Sequence, residues 1–144
     1  MIAFSSNING NWDVFVTTSL DGVNWSEPIA VATDASNETD PSLIKTANGY
    51  MIAYSASNLI WVISSTTGED WGEPLQVTSI GDWGHSYVEP SLVEVNGSYI
   101  LAYSRYVGGW IGRWYEIALI TSDNGVNWTQ PLVVNETENF ASRL

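Results

Sequence analysis

The sequence predicts an all-β fold, and three observations support this prediction. Apolar residues come in short runs rich in Val, Ile, Tyr and Trp, bounded by Gly, Asn, Asp and Pro, which is typical of strands. A Gly-x-x-Trp segment occurs three times along the chain. Each copy is followed at the same offset by proline and an apolar run, at Pro28, Pro74 and Pro131. No segment of the sequence indicates a helix.

The repeats predict how the strands are organised. The Gly-x-x-Trp segments begin at Gly22, Gly68 and Gly125, and residues 40–55 align with residues 89–104. Spacings of roughly 46–57 residues are typical of a β-propeller with one blade of four antiparallel strands per repeat. The sequence therefore predicts three such blades in a single domain. Their boundaries are 1–34 for blade 1, 40–79 for blade 2 and 89–135 for blade 3.

Each predicted strand has its own signal, and the strands of a blade are called a to d in chain order. Strand a begins at an Asp-Pro or Glu-Pro dipeptide. The Asn48-Gly49 and Asn96-Gly97 dipeptides tolerate the positive φ that a tight hairpin between strands a and b needs. The Gly-x-x-Trp turn separates strand c from strand d. The predicted strands are a at 41–44 and 90–93, b at 51–55 and 100–104, c at 14–18, 60–64 and 117–121, and d at 29–32, 75–78 and 132–134.

The strand count predicts an assembly. Residues 1–5 align with residues 51–55 of strand b, so blade 1 lacks a strand a, and residues 141–144 fall where a further strand a would begin. A propeller usually has about four to eight blades, so three blades do not close a ring. We expect a six-bladed ring made by a head-to-tail homodimer, in which strand a at 141–144 completes a blade of the partner chain. The alternative is that the chain is a fragment of a longer propeller.

The third turn carries a resemblance to a known family. Its Thr-x-Asp-x-Gly-x-x-Trp sequence at residues 121–128 resembles the Asp-box of sialidase-like (BNR-repeat) propellers. In the first copy Leu20 occupies the place of the aspartate and Asp21 follows it, while Thr66 occupies that place in the second copy. The resemblance implies a structural turn in which the carboxylate binds backbone amides, glycine takes a positive φ and tryptophan packs into the blade. The residues assigned to this role are Asp21, Gly22, Trp25, Gly68, Trp71, Asp123, Gly125 and Trp128.

Composition bears on the partners and cofactors of the protein. The formal net charge is −12, so the electrostatic field repels phosphate backbones and anionic lipid headgroups, and we expect neither nucleic acid nor membrane as a partner. Cysteine is absent and there is one histidine, which excludes disulfides, thiolate metal sites and histidine-rich metal sites. No cofactor is predicted, and nothing in the sequence supports an axial cation. No signal peptide or transmembrane segment is predicted, and the compartment stays undetermined.

The resemblance also implies where a ligand binds. In such propellers the ligand face is formed by the loops that enter strand a and by the loops between strands b and c. Aromatic rings there can cover the apolar face of a sugar, while carboxylates and Arg bind its hydroxyl groups. The candidate ligand-binding residues are Trp12, Asp40, Trp83, His85, Glu89, Arg105, Tyr106, Trp110 and Trp114. If the protein is an enzyme, the catalytic candidates are Asp40, Glu89 and Arg105.

Three hypotheses for the function follow. The primary one is a lectin-like, glycan-binding propeller; the alternatives are a glycoside hydrolase of the sialidase-like or furanosidase-like type and a purely structural scaffold. The Phe-Arg-Ile-Pro signature of sialidases is absent. The candidate residues also have structural interpretations. Asp40 and Glu89 can accept hydrogen bonds from backbone amides, and Arg105 can pair with Glu89. Trp110 and Trp114 can pack against a neighbouring blade.

Overall fold

The computed structural model describes residues 1–79, 86–109 and 112–134, and for residues 108, 109 and 112–114 the backbone alone. In these ranges the chain forms eleven β-strands and no helix, so no membrane-spanning helix occurs there. The strands are β1 (Ile2–Ser6), β2 (Asp13–Thr17), β3 (Ile29–Ala32), β4 (Glu38–Thr46), β5 (Gly49–Ala56), β6 (Leu59–Ser65), β7 (Leu75–Gln76), β8 (Ser86–Val95), β9 (Ser98–Gly109), β10 (Gly112–Ser122) and β11 (Leu132–Val133).

The strands form three antiparallel sheets, one after another along the chain. The first has the order β1-β2-β3, the second β4-β5-β6-β7 and the third β8-β9-β10-β11. Consecutive strands pair in every sheet, as expected for blades built from hairpins. The all-β prediction, with three successive antiparallel sheets, is confirmed. The predicted strand a at 141–144 lies outside the described residues.

The sheets pack face to face. Successive side chains of a strand point to opposite faces of its sheet, so one sheet can contact a neighbour on each side. Between the first and second sheets, Val14 of β2 packs with Ile52 and Tyr54 of β5 in one buried cluster. Between the second and third sheets, Ile60 of β6 packs with Leu101 of β9 in another. We call the face that a sheet turns toward the next sheet in the chain its forward face, and the opposite face its rear face. Val14 and Ile60 thus lie on forward faces, and the other three residues on rear faces.

The first strands of the second and third sheets, β4 and β8, share an unusual backbone. The pairing register of each shifts at its proline, which marks a β-bulge. Inside the bulges Asp40 has a φ of 54° and Glu89 a φ of 56°, a left-handed conformation that non-glycine residues adopt rarely. The amide of Leu92 donates a hydrogen bond to Ser42 Oγ at 3.0 Å and joins the two strands. The bulges therefore place two carboxylates at equivalent positions of adjacent sheets.

The three Gly-x-x-Trp turns begin with the same hydrogen bond. The hydroxyl oxygen of Ser19 accepts the amide N–H of the turn glycine at 2.8 Å, and Ser65 and Ser122 accept theirs at 2.7 and 2.9 Å. The three glycines have φ values between 73° and 87°, which L-residues with a side chain rarely adopt. The turns are thus structurally equivalent although their sequences differ.

The side chain two residues after that serine accepts two more backbone amides, and its identity corrects the predicted register. Asp21 accepts both at 2.8 Å, Thr67 accepts them at 3.1 and 3.3 Å, and Asn124 at 2.9 and 2.8 Å. The prediction that Asp123 binds the amides of the third turn is wrong. Its carboxylate accepts a hydrogen bond from the Ser98 hydroxyl at 2.7 Å instead. The acceptor directly precedes the glycine in all three turns, one residue closer than in the Asp-box pattern.

The tryptophans of these turns differ in burial. Trp71 packs against the cluster between the first and second sheets, and Trp128 against the cluster between the second and third. Each therefore belongs to the rear face of its own sheet. Trp25 is 43% exposed, because the described residues hold no sheet in front of the first one. The packing predicted for Trp25 is thus not present within this part of the chain.

Candidate functional site

A polar cleft lies between the second and third sheets, on the side where β4 and β8 begin. Its volume is about 270 Å³. The loop before β4, the turn between β5 and β6 and the start of β8 supply its walls, which is the side where the sequence predicted a ligand face. The residues that line it are Ser36, Asn37, Thr39, Ser55, Ala56, Ser57, Asn58, Tyr87 and Val88. Most of these side chains end in a hydroxyl or an amide.

The turn between β5 and β6 gives the cleft a fixed wall. Ser57 and Asn58 both have positive φ, 52° and 64°, which is typical of a two-residue hairpin turn. Asn58 Oδ1 accepts a hydrogen bond from the Ser86 hydroxyl at 3.1 Å, and the Asn58 carbonyl accepts the Tyr87 amide at 3.1 Å. These two bonds hold the turn against the third sheet.

Ser55 is the most informative residue of the cleft. Its side chain is buried, and its hydroxyl has no hydrogen-bond partner among the described residues. Leaving a buried polar group unsatisfied costs about 1–3 kcal/mol. The hydroxyl opposite it, that of Thr39, is occupied, because it donates to Asp40 Oδ2 at 3.0 Å. Ser55 therefore brings an unsatisfied, almost fully buried hydroxyl to the wall of the cleft.

The two predicted carboxylates lie beside this cleft and are exposed to solvent. Asp40 and Glu89 accept hydrogen bonds from the hydroxyls of Thr39 and Ser104, each at 3.0 Å. Neither carboxylate accepts a hydrogen bond from a backbone amide of the described residues. The interpretation that they serve to bind backbone amides is therefore not supported. Their left-handed backbone costs about 1–3 kcal/mol each, and such strain often occurs at functional sites.

Arg105 and Tyr106 have partners within the third sheet. Arg105 forms an ion pair with Glu116 on the neighbouring strand, with Nε 3.0 Å from Oε2. It does not pair with Glu89 as the structural interpretation predicted, because the β9–β10 register places Glu116 directly opposite. The ring of Tyr106 lies 5.3 Å from that of Tyr115. The structure does not bring Arg105 into the lining of the cleft.

The structure describes only some of the remaining candidate residues. Trp83, His85 and Trp110 lie outside the described residues, and of Trp114 only the backbone, in β10, is described. Trp12 is exposed and lies between the first and second sheets: its carbonyl accepts the amide of Glu38 at 2.7 Å. Within the described ranges no group of three or more His, Asp or Glu side chains is placed to hold a metal ion.

Two acidic residues that the sequence analysis did not single out are buried beneath this face. Asp13 and Glu38 are only 2% and 1% exposed. Asn9 donates to Asp13 Oδ2 at 3.1 Å, and the Ser36 hydroxyl donates to Glu38 Oε1 at 2.7 Å. The second oxygen of each carboxylate has no hydrogen-bond partner in the part of the chain that the structure describes. Ser36 also lines the cleft, so it connects the cleft with the buried acids.

Burial changes the acidity of this group of residues. It raises the pKa of Glu38 above its ordinary value of 4.5, and the negative charges of Asp34 and Asp13 raise it further, against the lowering effect of the Ser36 hydrogen bond. Burial likewise raises the pKa of Tyr54, with the charge of Glu38 adding to the effect. Glu38 therefore keeps its proton to a higher pH than an ordinary glutamate does.

The internal repeat contained a signal for these acids. The amide of Tyr87 donates to the Asn58 carbonyl just as the amide of Glu38 donates to that of Trp12. Glu38 is thus equivalent to Tyr87, and Asp13, the residue after Trp12, is equivalent to Leu59. Leu59 and Tyr87 are both buried in the cluster between the second and third sheets. Two acids at positions that are apolar or aromatic in the next repeat are visible once the repeats are aligned.

Comparison with known proteins establishes the fold. The sequence matches no protein-family model and no curated protein. Among solved structures it is similar to an α-L-arabinanase of Penicillium chrysogenum in complex with arabinobiose, with a TM-score of 0.76 and 15% identity over 94% of this chain and 44% of that one. It is also similar to the GH93 α-L-arabinofuranosidase of Fusarium graminearum in complex with arabinobiose, with a TM-score of 0.71 and 16% identity over 92% of this chain and 44% of that one.

A third similar structure is a thermostable family-43 glycoside hydrolase, with a TM-score of 0.62 and 15% identity over 93% of this chain and 50% of that one. None of these three is a sialidase, so they support the propeller fold without supporting the sialidase-like family in particular. The chain spans half or less of the length of each. It therefore has the fold of one part of a β-propeller, about half the size of the propeller enzymes that it resembles.

Proposed function

We propose that this protein binds a neutral carbohydrate, without cleaving it, in the cleft between the second and third sheets. The observation that carries this proposal is the buried hydroxyl of Ser55, which lacks a partner among the described residues and lies in a cleft lined by hydroxyl and amide groups. A sugar hydroxyl is both donor and acceptor and can satisfy such a group.

The size and charge of the site favour this class of ligand. A volume of about 270 Å³ lies just below the range of about 300–1,000 Å³ that is usual for small-molecule sites, so the cleft suits the end of an oligosaccharide. The net charge of −12 disfavours phosphorylated or sulfated ligands. The amide nitrogen of Asn58 and the hydroxyl of Ser57 provide further groups for sugar hydroxyls.

The solved structures suggest the first ligand to test. Two of the similar propeller enzymes were crystallised with arabinobiose. We therefore expect neutral pentose oligosaccharides to bind this chain in preference to acidic sugars.

The test is titration of the protein with arabinobiose and a panel of neutral and acidic oligosaccharides, by calorimetry or NMR. Ser55→Ala should weaken binding about two- to tenfold, the net worth of one hydrogen bond, without lowering the melting temperature. Ser104→Ala is the matched control, because Ser104 occupies the equivalent position in the third sheet and its hydroxyl is bound to Glu89. Equal affinity of Ser55→Ala and wild type for every sugar would refute the site, and no binding by wild type would favour the scaffold hypothesis.

A glycoside hydrolase is the second candidate, because the similar solved structures are glycoside hydrolases. Asp40 and Glu89 are the carboxylates that it would use, since both are exposed on the ligand face. Chromogenic glycosides, beginning with an α-L-arabinofuranoside, test it. Turnover by wild type that is lost in Asp40→Asn or Glu89→Gln would replace the binding proposal with a hydrolytic one.

A further inference from the structure

Within the part of the chain that the structure describes, each outer sheet has one apolar face that no other sheet covers. The rear face of the first sheet carries Ile2, Phe4 and Trp25. The forward face of the third sheet carries Val93, Ile117 and Leu132. Five of these six side chains are at least one-third exposed, the exception being Phe4, which is half-buried.

Equivalent residues on the forward faces show what the third sheet lacks. Ile117 occupies in β10 the position that Ile60 occupies in β6 and Val14 in β2. Ile60 and Val14 are 0% exposed because the next sheet covers them, whereas Ile117 is 48% exposed. The forward face of the third sheet is thus built like a buried interface but is not covered by the described residues.

The rear face of the first sheet gives the same result. Ile2 occupies in β1 the position of Ile52 in β5 and Leu101 in β9, which are both 0% exposed, while Ile2 is 47% exposed. The rings of Phe4 and Phe15 stack 5.9 Å apart on this face, where Phe15 is buried at 8% exposure and Phe4 is half-buried.

The two uncovered faces are complementary. Twice within this chain a forward face packs on the rear face of the following sheet, burying aliphatic and aromatic side chains. Among the described residues, one forward face and one rear face have no sheet packed on them. Any protein that covers both by the same packing must itself present one free rear face and one free forward face, which this chain does.

We propose that a second copy of this chain covers both faces, its first sheet packing on the third sheet of this copy and its third sheet on the first sheet of this copy. Each contact joins two different faces, and a two-fold rotation closes the pair into a ring of six sheets. The chain spans 44% of the similar arabinanase, so two copies account for one propeller of that size. This inference goes beyond carbohydrate binding and does not depend on it.

Closure changes the ligand face. β4 and β8 begin on the same side of the sheets and are in contact with each other. In the closed ring the Asp40 and Glu89 carboxylates of both copies surround one axis, so the second copy completes the opening that these four carboxylates line. The net charge of −12 on each copy opposes association, and because salt screens this repulsion the dimer becomes tighter as ionic strength rises.

Sedimentation of the full chain at several concentrations in 150 mM salt tests the proposal. The expected mass is twice that of the 15.8 kDa chain. A monomer at all concentrations overturns the proposal. A trimer or an open-ended polymer overturns two-copy closure.

Charged substitutions locate the contact. Ile117→Asp and Ile2→Asp should each give a folded monomer with an unchanged far-UV spectrum. Val126→Asp is the matched control, because Val126 is exposed in a turn outside both faces, and it should stay a dimer. A dimer that persists in both face variants, or is lost in the control, overturns the assignment of the faces.

Mixing the two face variants tests whether the two copies pack head to tail. This test also works if one variant is poorly stable alone. A mixed pair contains one contact in which both faces are intact, since the Ile117→Asp copy keeps its rear face and the Ile2→Asp copy keeps its forward face. The mixture should therefore recover dimer by mass. No recovery from two folded variants overturns the head-to-tail arrangement.

Discussion

Two buried carboxylates lie between the first and second sheets, where the next pair of sheets has Leu59 and Tyr87. Burial of an ionised carboxylate without a cationic partner costs on the order of several kcal/mol, so these acids weaken the fold. The raised pKa of Glu38 is the physical response, because a protonated carboxyl avoids that cost. Glu38 accepts a hydrogen bond from the Ser36 hydroxyl, and Ser36 also belongs to the wall of the cleft. We therefore interpret Glu38 as a residue that positions the loop before β4.

The raised pKa of Glu38 predicts how stability depends on pH. Above pH 4.5 the native state holds this proton more tightly than the unfolded chain does, so the free energy of unfolding falls as pH rises from 4.5 through the native pKa. Glu38→Gln removes this titration. Its stability relative to wild type, measured by urea unfolding, should therefore increase as pH rises from 4.5 through the native pKa of Glu38 and then level off.

Asp21 provides the control for that experiment. Its turn amides hold the pKa of Asp21 below the usual 3.8, so it contributes stability that is lost as pH falls below 3.8. Asp21→Asn should therefore change the curve only in the more acidic range. A difference between Glu38→Gln and wild type that stays constant with pH would contradict the assignment of the titration to Glu38.

At the scale of elements, the c–d turns keep one structure with three different acceptors. Asp21, Thr67 and Asn124 each accept two amides, and the glycine that follows each of them takes a positive φ. An oxygen at the right distance is therefore sufficient, and a negative charge is not required. This explains why the turn persists where the Asp-box sequence is incomplete.

The third turn offers a test of the corrected register. Asn124→Ala removes the acceptor of two amides and should lower the free energy of unfolding by about 1–2 kcal/mol. Asp123→Ala removes only an exposed bond to Ser98 and should cost about 0.5 kcal/mol or less. Chemical unfolding of both variants, with Asn124→Asp as a replacement that keeps the acceptor, distinguishes them. A larger loss for Asp123→Ala would restore the original register.

Two interfaces between sheets hold the described part of the chain together, and within that part the outer face of the first and of the third sheet has no sheet packed on it. Trp71 and Trp25 occupy equivalent positions in their turns, but only Trp71 lies on a face that another sheet covers. Trp71 packs against the cluster between the first two sheets, whereas Trp25 is largely open. Their stability contributions should therefore differ within one chain and converge in the closed dimer.

This difference can be measured. Trp71→Ala should cost about 3–5 kcal/mol as a large-to-small change in a packed interface. Trp25→Ala, in the monomeric Ile117→Asp background, should cost about 1 kcal/mol or less, while in the otherwise unchanged chain it should weaken dimerisation. The measurements are urea unfolding for the first two and sedimentation for the third. Equal costs of Trp71→Ala and Trp25→Ala in the monomer would contradict the difference in packing.

The all-β class, the three repeats and the location of the tight turns could be predicted from the amino-acid sequence. Strand class and repeats depend on the periodicity of apolar residues, and the tight turns depend on residues that tolerate a positive φ, such as Asn96 and Gly49. Both are local properties of the chain. The family resemblance predicts a ligand face on one side of the sheets, and the cleft lies on that side.

The hydrogen-bond and ion-pair partners of the polar side chains, by contrast, depend on how the strands and sheets pack. Arg105 pairs with Glu116 because of the β9–β10 register, and Ser55 lies in a cleft because the third sheet covers its face. Asp13 and Glu38 are buried for the same kind of reason, since the loop between β1 and β2 meets the loop before β4 beside them. Contacts of this kind join residues far apart in sequence, and hydrophobic patterning shows that a side chain faces another sheet but not which group it meets there.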